Sequence, residues 1–537
     1  MAGPLDEGIS ELLTHLADQK FIDEAVVAEQ PGYRFKHALT QEVAYNSLLR
    51  ERRRVVHEEV AQAIEALFAD RLAEHSGELA YHYGRSGNTA KTIEYLRMAA
   101  NRAVERSALA EAIGHLRSAL SLVAALPPAP ERLQLELSLH LALGTSLGPH
   151  AGWYDPDVGR SFGRAREICH ELGETPQLFQ ALFGLWVYEL THGNLASTRE
   201  LAEQLWVLGE RFENRAFLVE ACRALGPTVF FFGEFSRARE ILERGFTLYD
   251  PVEHRSHAVL YGQDPKVLCL TYHALVCHLL GDPTRGRESL REAVALAEAI
   301  AHPFTSACAG NHTAILGYFH RDVAEVEPVA ERTVALATEH GFPFWLIVTR
   351  IIRDWAIACR GDPSALDEMR RDLDTWRVSG AAVLSPWLLA MLGEALATLG
   401  KRDEALGVLD EAARVGEETG ARWWSAEIHR LTGEVELSLG NASRAQTSLD
   451  RALEIARRQG AKTLELRATA TLARLLRGQG KGPEARRLLE AAYHSIPPGF
   501  DTADLSEAKG LFEDLTSYER CSRTRCRTRN PRDGLAI

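Results

Sequence analysis

Three stretches of this 537-residue chain have residue types and spacings that could do chemistry. Cys269, His273 and Cys277 fall at i, i+4 and i+8, so on a helix they share one face and could converge on a metal ion. A buried helix in a helical array uses small residues on such a face anyway, and packing is the preferred reading. His57-Glu58-Glu59 begins like the helix of a zinc protease, but Ala61 stands where the second histidine is needed. Gly478-Gln479-Gly480-Lys481-Gly482-Pro483 is glycine-rich around a lysine, yet lacks the Ser or Thr that a phosphate loop places next. The sequence holds no Gly-x4-Gly-Lys-Ser/Thr, and no Cys/His pair stands out as nucleophile and base. No catalysis, metal or cofactor is expected of this chain.

The elements that would carry these residues repeat. Gly400, Ala405, Leu409 and Ala412 recur with identical offsets at Gly440, Ala445, Leu449 and Ala452, and again at Gly480, Ala485, Leu489 and Ala492. Gly380, Gly420 and Gly460 lie halfway between. Each 40-residue unit is therefore two helices, each closed by a glycine that supplies positive φ. Running backwards, the series passes Gly361, Arg321, Gly281, Gly233, Gly193 and Trp153 at intervals of 39, 40, 40, 48, 40 and 40. The long interval holds a polar insertion, Tyr249-Asp250-Pro251 to Asp264-Pro265, either a functional face or a tolerated surface loop. The pattern matches the second helix of the tetratricopeptide repeat, with Gly393 and Gly433 as the small residues of first helices and Pro497 as the terminal proline. The expected fold is all-α: an α-α superhelix of about nine hairpins over 131–515, the sixth poorly patterned.

In that repeat the first helix of each hairpin lines a concave groove, and a protein or peptide partner is expected there. The contact positions of the last two repeats include Glu427, Arg430, Glu434, Arg467, Arg474 and Arg477. Arg467, Arg474 and Arg477 share a helix face by their spacing of 7 and 3. Together with Arg430 they form either a wall for an acidic partner segment or a solvated face paired with Glu427 and Glu434, the simpler of the two readings.

Ahead of the array, an amphipathic helix (Ile9, Leu12, Leu13, Leu16), a hairpin turning at Pro31-Gly32 and a long helix from about Ala38 to Phe68 read as a winged-helix-like remnant over 1–70. Val56, Val60, Ile64 and Leu67 give that helix its stripe, with Arg50, Arg52, Arg53 and Arg54 facing water. Entry helices follow over 71–130, where Pro127-Pro128-Ala129-Pro130 reads as a loop rather than a hinge. From Thr516 to the end at 537, six arginines and Cys521 and Cys526 read as a disordered basic tail.

Tyr33-Arg34-Phe35-Lys36-His37-Ala38-Leu39-Thr40-Gln41-Glu42-Val43-Ala44-Tyr45 resembles the segment that closes the ATPase module of bacterial STAND-type signalling ATPases. The likeness is closest to proteins that fuse a class III adenylate/guanylate cyclase domain, an AAA-like ATPase and a tetratricopeptide region. It continues through Gly341-Phe342-Pro343-Phe344-Trp345, Arg422-Trp423-Trp424 and Gly499-Phe500-Asp501-Thr502-Ala503-Asp504-Leu505, covering roughly 5–515. The resemblance implies that His37 contacts a nucleotide phosphate, although Ala38 replaces the Asp of the His-Asp-Leu signature. A histidine merely capping the strand-to-helix junction is the plainer alternative.

With 46% apolar and 25% charged residues the chain is globular, and a net charge of −13 disfavours nucleic acid and anionic membrane as partners. No segment reads as a membrane span or signal peptide, and eight cysteines without a CxxC pair suit reduced thiols in the cytoplasm. The expected function is a regulatory interaction scaffold, the sensor region of a STAND-type ATPase or cyclase protein. The alternatives are a fragment of a multidomain cyclase–ATPase with its catalytic domains upstream, and a transcriptional regulator of the same class.

Overall fold

The computed structural model describes residues 7–27, 30–173, 175–496 and 502–527. They form two compact units, residues 1–102 with 115–125, and residues 103–114 with 126–537. The second boundary falls beside the Pro127–Pro130 stretch.

The first unit opens with α1 (Glu7–Asp18), then strands β1 (Ile22–Val27) and β2 (Gln30–Phe35), then α2 (Ala38–Ser47) and α3 (Arg50–Leu67). The strands pair antiparallel, with Ile22 opposite Phe35. One unbroken helix was expected over 38–68. It splits instead, because Leu48 and Leu49 are extended. Arg53 stabilises the break, donating from Nε to Leu48 O at 2.9 Å and from Nη2 to Asn46 O at 3.1 Å. Those carbonyls would otherwise be unmet at a helix end. Arg54, exposed as expected, donates from Nε to Ser86 O at 3.0 Å. Leu67, expected in the apolar stripe, is exposed, whereas Ala61 and Ile64 are buried where α3 meets α4 (Ser76–Ser86). Two further helices follow, α5 (Thr89–Glu105) and α6 (Leu109–Ala124).

The second unit is a tetratricopeptide-like solenoid. Its first hairpins are α7 (Pro130–Ala151) with α8 (Pro156–Leu172), α9 (Gln177–Thr191) with α10 (Leu195–Arg211), and α11 (Arg215–Phe231) with α12 (Phe235–Leu248). A single turn, α13 (His257–Leu260), precedes α14 (Pro265–Leu279) with α15 (Pro283–Ile300), α16 (Pro303–His320) with α17 (Val323–His340), and α18 (Pro343–Cys359) with α19 (Ala365–Ser379). The array ends with α20 (Ser385–Thr398) and α21 (Arg402–Thr419), α22 (Ser425–Ser438) and α23 (Ala442–Gln459), α24 (Lys462–Gly478) and α25 (Gly482–His494), then α26 (Ala503–Arg527). Nine hairpins thus stand among the described residues. Gly400, Gly420, Gly440, Gly460 and Gly480 all have φ between 66° and 82° at helix ends. Arg321 takes φ 56° in the same role without being glycine, and Gly152 rather than Trp153 carries the positive φ at the first position of the series.

Second helices are amphipathic: α23 buries Ala445, Leu449 and Ala452 and leaves its other face to water. First helices are not. Every residue of α11 from Val219 to Phe231 is buried. The reason is that the solenoid closes on itself. Ala382 N donates to Thr191 O at 2.8 Å, and Arg422 N to Phe231 O at 2.9 Å. Thr463 Oγ1 donates to His278 O at 2.5 Å, and Arg467 Nη2 to Phe319 O. The C-terminal ends of α9, α11, α14 and α16 thus abut the segments that open α20, α22, α24 and α26, roughly 180–190 residues later in the chain, the last pair through Arg321 and Asp504. Carbonyls left open at helix ends find their donors there.

The expected disordered tail begins inside a helix instead. Ala508, Leu511 and Leu515 of α26 are buried in the terminal core cluster, and the helix they anchor runs on to Arg527. Arginine sustains a helix well once packing has started it. Arg529 and Arg532 lie outside the described residues, as do Pro497 and Gly499-Phe500-Asp501. Among the described residues no helix is long and apolar enough to cross a membrane.

The expected close approach at the first-helix glycines is present. A Cβ on Gly433 would stand 2.8 Å from Leu449 Cγ, and one on Gly393 the same distance from Leu409 Cγ. Gly433→Val should therefore lower the unfolding free energy by about 2 kcal/mol through overpacking. Chemical denaturation measures this, and unchanged stability would mean that α22 and α23 do not meet there.

Candidate functional site

The six groove residues singled out from sequence come together where α22, α24 and α26 meet. Arg467 is at the centre, its side chain only 5% exposed. Its Nε donates to Asp504 Oδ2 at 2.9 Å, its Nη1 to Glu427 Oε1 at 3.3 Å and its Nη2 to Phe319 O. Arg430, also buried, donates to Glu427 Oε1 at 3.0 Å and to Glu434 Oε2 at 2.5 Å. Arg430 draws the Glu434 carboxyl below the usual carboxylate range. Two residues that sequence reasoning missed complete the network. Asp504 and Glu507 come from α26, and Arg321, which ends α16, pairs with Glu507 at 2.6 Å and with Asp504 at 3.5 Å.

Arg430 and Arg467 are therefore not a free wall for an acidic segment. Their charges are spent inside the protein, on more acids than Glu427 and Glu434. Arg474 and Arg477 lie further out, one third and two fifths exposed, paired with Glu507 and, at 3.6 Å, with Asp514. A signal for the missed acids was present in Asp504, within a segment already noted for its family likeness. What the sequence could not supply was the return of the coil that places α26 against α16.

A carboxyl beneath this network is held differently. Glu394 Oε2 accepts from Tyr318 Oη at 3.1 Å and from Trp355 Nε1 at 3.0 Å. Burial pushes its pKa up, against the pull of Arg430. Next to the seam, burial first and then Arg287 and Arg467 push His320 down to about 4, so it is neutral near pH 7. Arg287 Nη2 donates to its Nδ1 at 3.2 Å.

The remaining sequence candidates lie apart from this network. In α14, His273 is buried, with Nδ1 2.8 Å from Ser289 Oγ and Nε2 3.2 Å from Glu243 Oε1. Cys277 Sγ stands 3.4 Å from that ring, while Cys269 instead packs at Gly245 beside Cys222. Its thiol is pushed well up by burial. Among the described residues no three His, Cys, Asp or Glu side chains are grouped to hold a metal. In the first unit, His37 is exposed at the N-cap of α2, and its side chain makes no capping bond.

The insertion at 249–265 is exposed along one side, with Val252 at the surface, and anchored along the other. His254, His257, Gln263 and Asp264 are buried. His257 Nδ1 lies 2.7 Å from Glu220 Oε1, and Arg223 donates to the carbonyls of Gln263 and Tyr261 at 3.1 and 3.3 Å. A buried Glu220–Arg223 pair on α11, 2.9 Å apart, thereby holds the insertion against the inner helices.

No family model matches the chain. An uncharacterized protein of Rhizobium meliloti (strain 1021) is 27% identical over 465 residues, covering 86% of this chain. The chain spans 45% of that relative's length. Among solved structures, a Rap protein complexed with competence and sporulation factor matches with a TM-score of 0.50 at 14% identity, over 68% of this chain and 98% of that one. A Pyrococcus horikoshii signal transduction ATPase with numerous domains, carrying a tetratricopeptide repeat sensor, matches with a TM-score of 0.33 at 12% identity, over 80% and 74% of the two chains. The Rap likeness is one of fold.

Removing Arg467 leaves Glu427 and Asp504 buried with one partner fewer. Arg467→Met should cost about 3 kcal/mol of stability, as expected when one member of a buried pair is removed. Arg414→Met, at an exposed pair with Glu418, should change it little. Equal small effects in urea unfolding would mean the network is solvated.

Proposed function

We propose that the chain is a regulatory protein-interaction scaffold, the sensor region of a STAND-type ATPase or adenylate/guanylate cyclase signalling protein. One observation carries the reading. In the first unit, α2 has no buried residue, and Leu39, Val43 and the adjoining Leu49 stand well exposed. Apolar groups gathered on a short helix and its end suit a surface that meets another polypeptide. That polypeptide is an ATPase or cyclase module, and His37, at the end of the hairpin beside it, faces the module's nucleotide. Nucleotide chemistry then belongs to the module and not to this chain.

The array supplies the second contact. A protein or peptide partner engages the concave side of the solenoid, first at Arg474 and Arg477 and then deeper as the seam parts. This reading places the protein in the cytoplasm, away from nucleic acid and membrane. The length of the Rhizobium meliloti relative favours a compatible second reading, in which these residues are part of a longer multidomain enzyme.

The test uses the portion of that relative lying outside the match, produced separately. It should bind this chain, and Leu39→Asp with Val43→Asp should weaken binding at least about tenfold, because two apolar contacts are lost to charge. Absence of binding, or binding indifferent to both substitutions, would overturn the reading.

A further inference from the structure

We propose that the closed coil holds a binding site for a small, neutral, planar molecule bearing hydrogen-bond acceptors on its edges. The inference is independent of the partner reading above. It rests on a cavity of about 90 Å³ among the inner helices, walled largely by the rings of Trp153, Trp186, Phe230, Tyr272, Trp387 and Trp423. A wall of hydrocarbon alone would enclose a dry void. This wall also carries polar atoms without a partner: Nε1 of Trp345, Trp387 and Trp423, Nε2 of Gln263 and Oδ1 of Asn311. All five side chains are more than nine-tenths buried.

Folded proteins rarely leave buried donors unmet. Three other indoles of this chain obey the rule. Trp186 donates to Thr228 Oγ1 at 2.9 Å, Trp376 to Ser385 Oγ at 3.0 Å and Trp355 to Glu394. Trp424, which is not part of the cavity wall, is a further unpartnered indole. Four unpartnered donors and one acceptor on the side chains lining a single cavity suit an occupant flat enough to lie among rings, and richer in acceptors than in donors.

The occupant is uncharged because the wall offers no spare charge. Arg223 lines the cavity but is engaged by Glu220 and by the carbonyls of Gln263 and Tyr261. His312 on the wall is driven to about 4 by burial and is neutral near pH 7. Size limits it too. An apolar cavity of about 150 Å³ admits benzene, so the present one must expand to take even a single six-membered ring and excludes anything larger. The wall draws on both sides of the seam, with Phe230 on α11 and Trp387 and Trp423 at the start of α20 and α22. Gln263 comes from the 249–265 insertion. An occupant therefore bridges the two sides of the seam.

Pyrazine and benzene make the test, because they share one outline and differ in two opposed acceptor nitrogens. In NMR titrations of the full chain, pyrazine should bind at least about tenfold more tightly than benzene, although benzene is the more hydrophobic. Gln263→Met keeps the side chain's length and removes its donor. It should weaken pyrazine severalfold and leave benzene unchanged. Trp423→Phe should do the same, and if that variant does not fold, Gln263→Met decides. Benzene binding as tightly as pyrazine, neither ligand saturating, or a pyrazine preference undiminished in Gln263→Met would each overturn the proposal. If neither ligand saturates, ordered water is the occupant.

Discussion

Backbone carbonyls at the ends of four inner helices set the form of the second unit. Thr191, Phe231 and Phe319 each present an oxygen that the helix itself does not satisfy, His278 one that locally meets only Gly281 N at 3.0 Å, and each receives a donor from far along the chain. Along the chain, hairpins pack on their neighbours and bury a continuous core, as repeat arrays do. Across the seam the hydrogen bonds are few, and each contributes on the order of 1 kcal/mol net. The closed form gains the rest of its stability from the rings it brings together. Phe230 and Trp423 have centroids 5.0 Å apart, and Phe319 stacks on Trp424 at 4.8 Å.

Closure also explains where the charges went. An open groove lined by Arg430, Arg467 and Arg474 would be solvated. Once α26 returns against α16, those guanidinium groups leave water and must be matched at close range, which Glu427, Asp504 and Glu507 accomplish. The same closure makes Glu220 and Arg223 an internal pair on a helix buried all round. That pair anchors the buried side of the 249–265 insertion, whose other side stays exposed. Polar residues on inner helices thus hold the turns of the coil in register.

The hairpins were legible because their signals are local. A glycine every 20 residues and small apolar residues on one face are read within a single repeat. Arg321 shows the limit of that reading, since the period alone, and not the residue type, marks its left-handed conformation. The break at Leu48-Leu49 was missed because it depends on Arg53 reaching back to two carbonyls. The seam was illegible for a different reason: it joins backbone groups far apart in the chain, and carbonyls carry no sequence signature. Large aromatic residues such as Trp387 and Trp423, placed at the openings of first helices, were the available clue. A groove meant to stay open to water would not carry them. Of the candidate site, the co-facial arginines and their pairing with Glu427 and Glu434 were readable. The acids of α26 and the burial of Arg467 were not, because both follow from closure.

Hydrogen exchange at the amides of Ala382 and Arg422 tests closure most directly. Both lie in short inter-helix segments that in an open array would face water and exchange as loops do. The closed coil predicts that both are protected nearly as strongly as the amides of the inner helices α11 and α22. Exchange at both positions as fast as at the exposed Arg402 amide that opens α21 would contradict it.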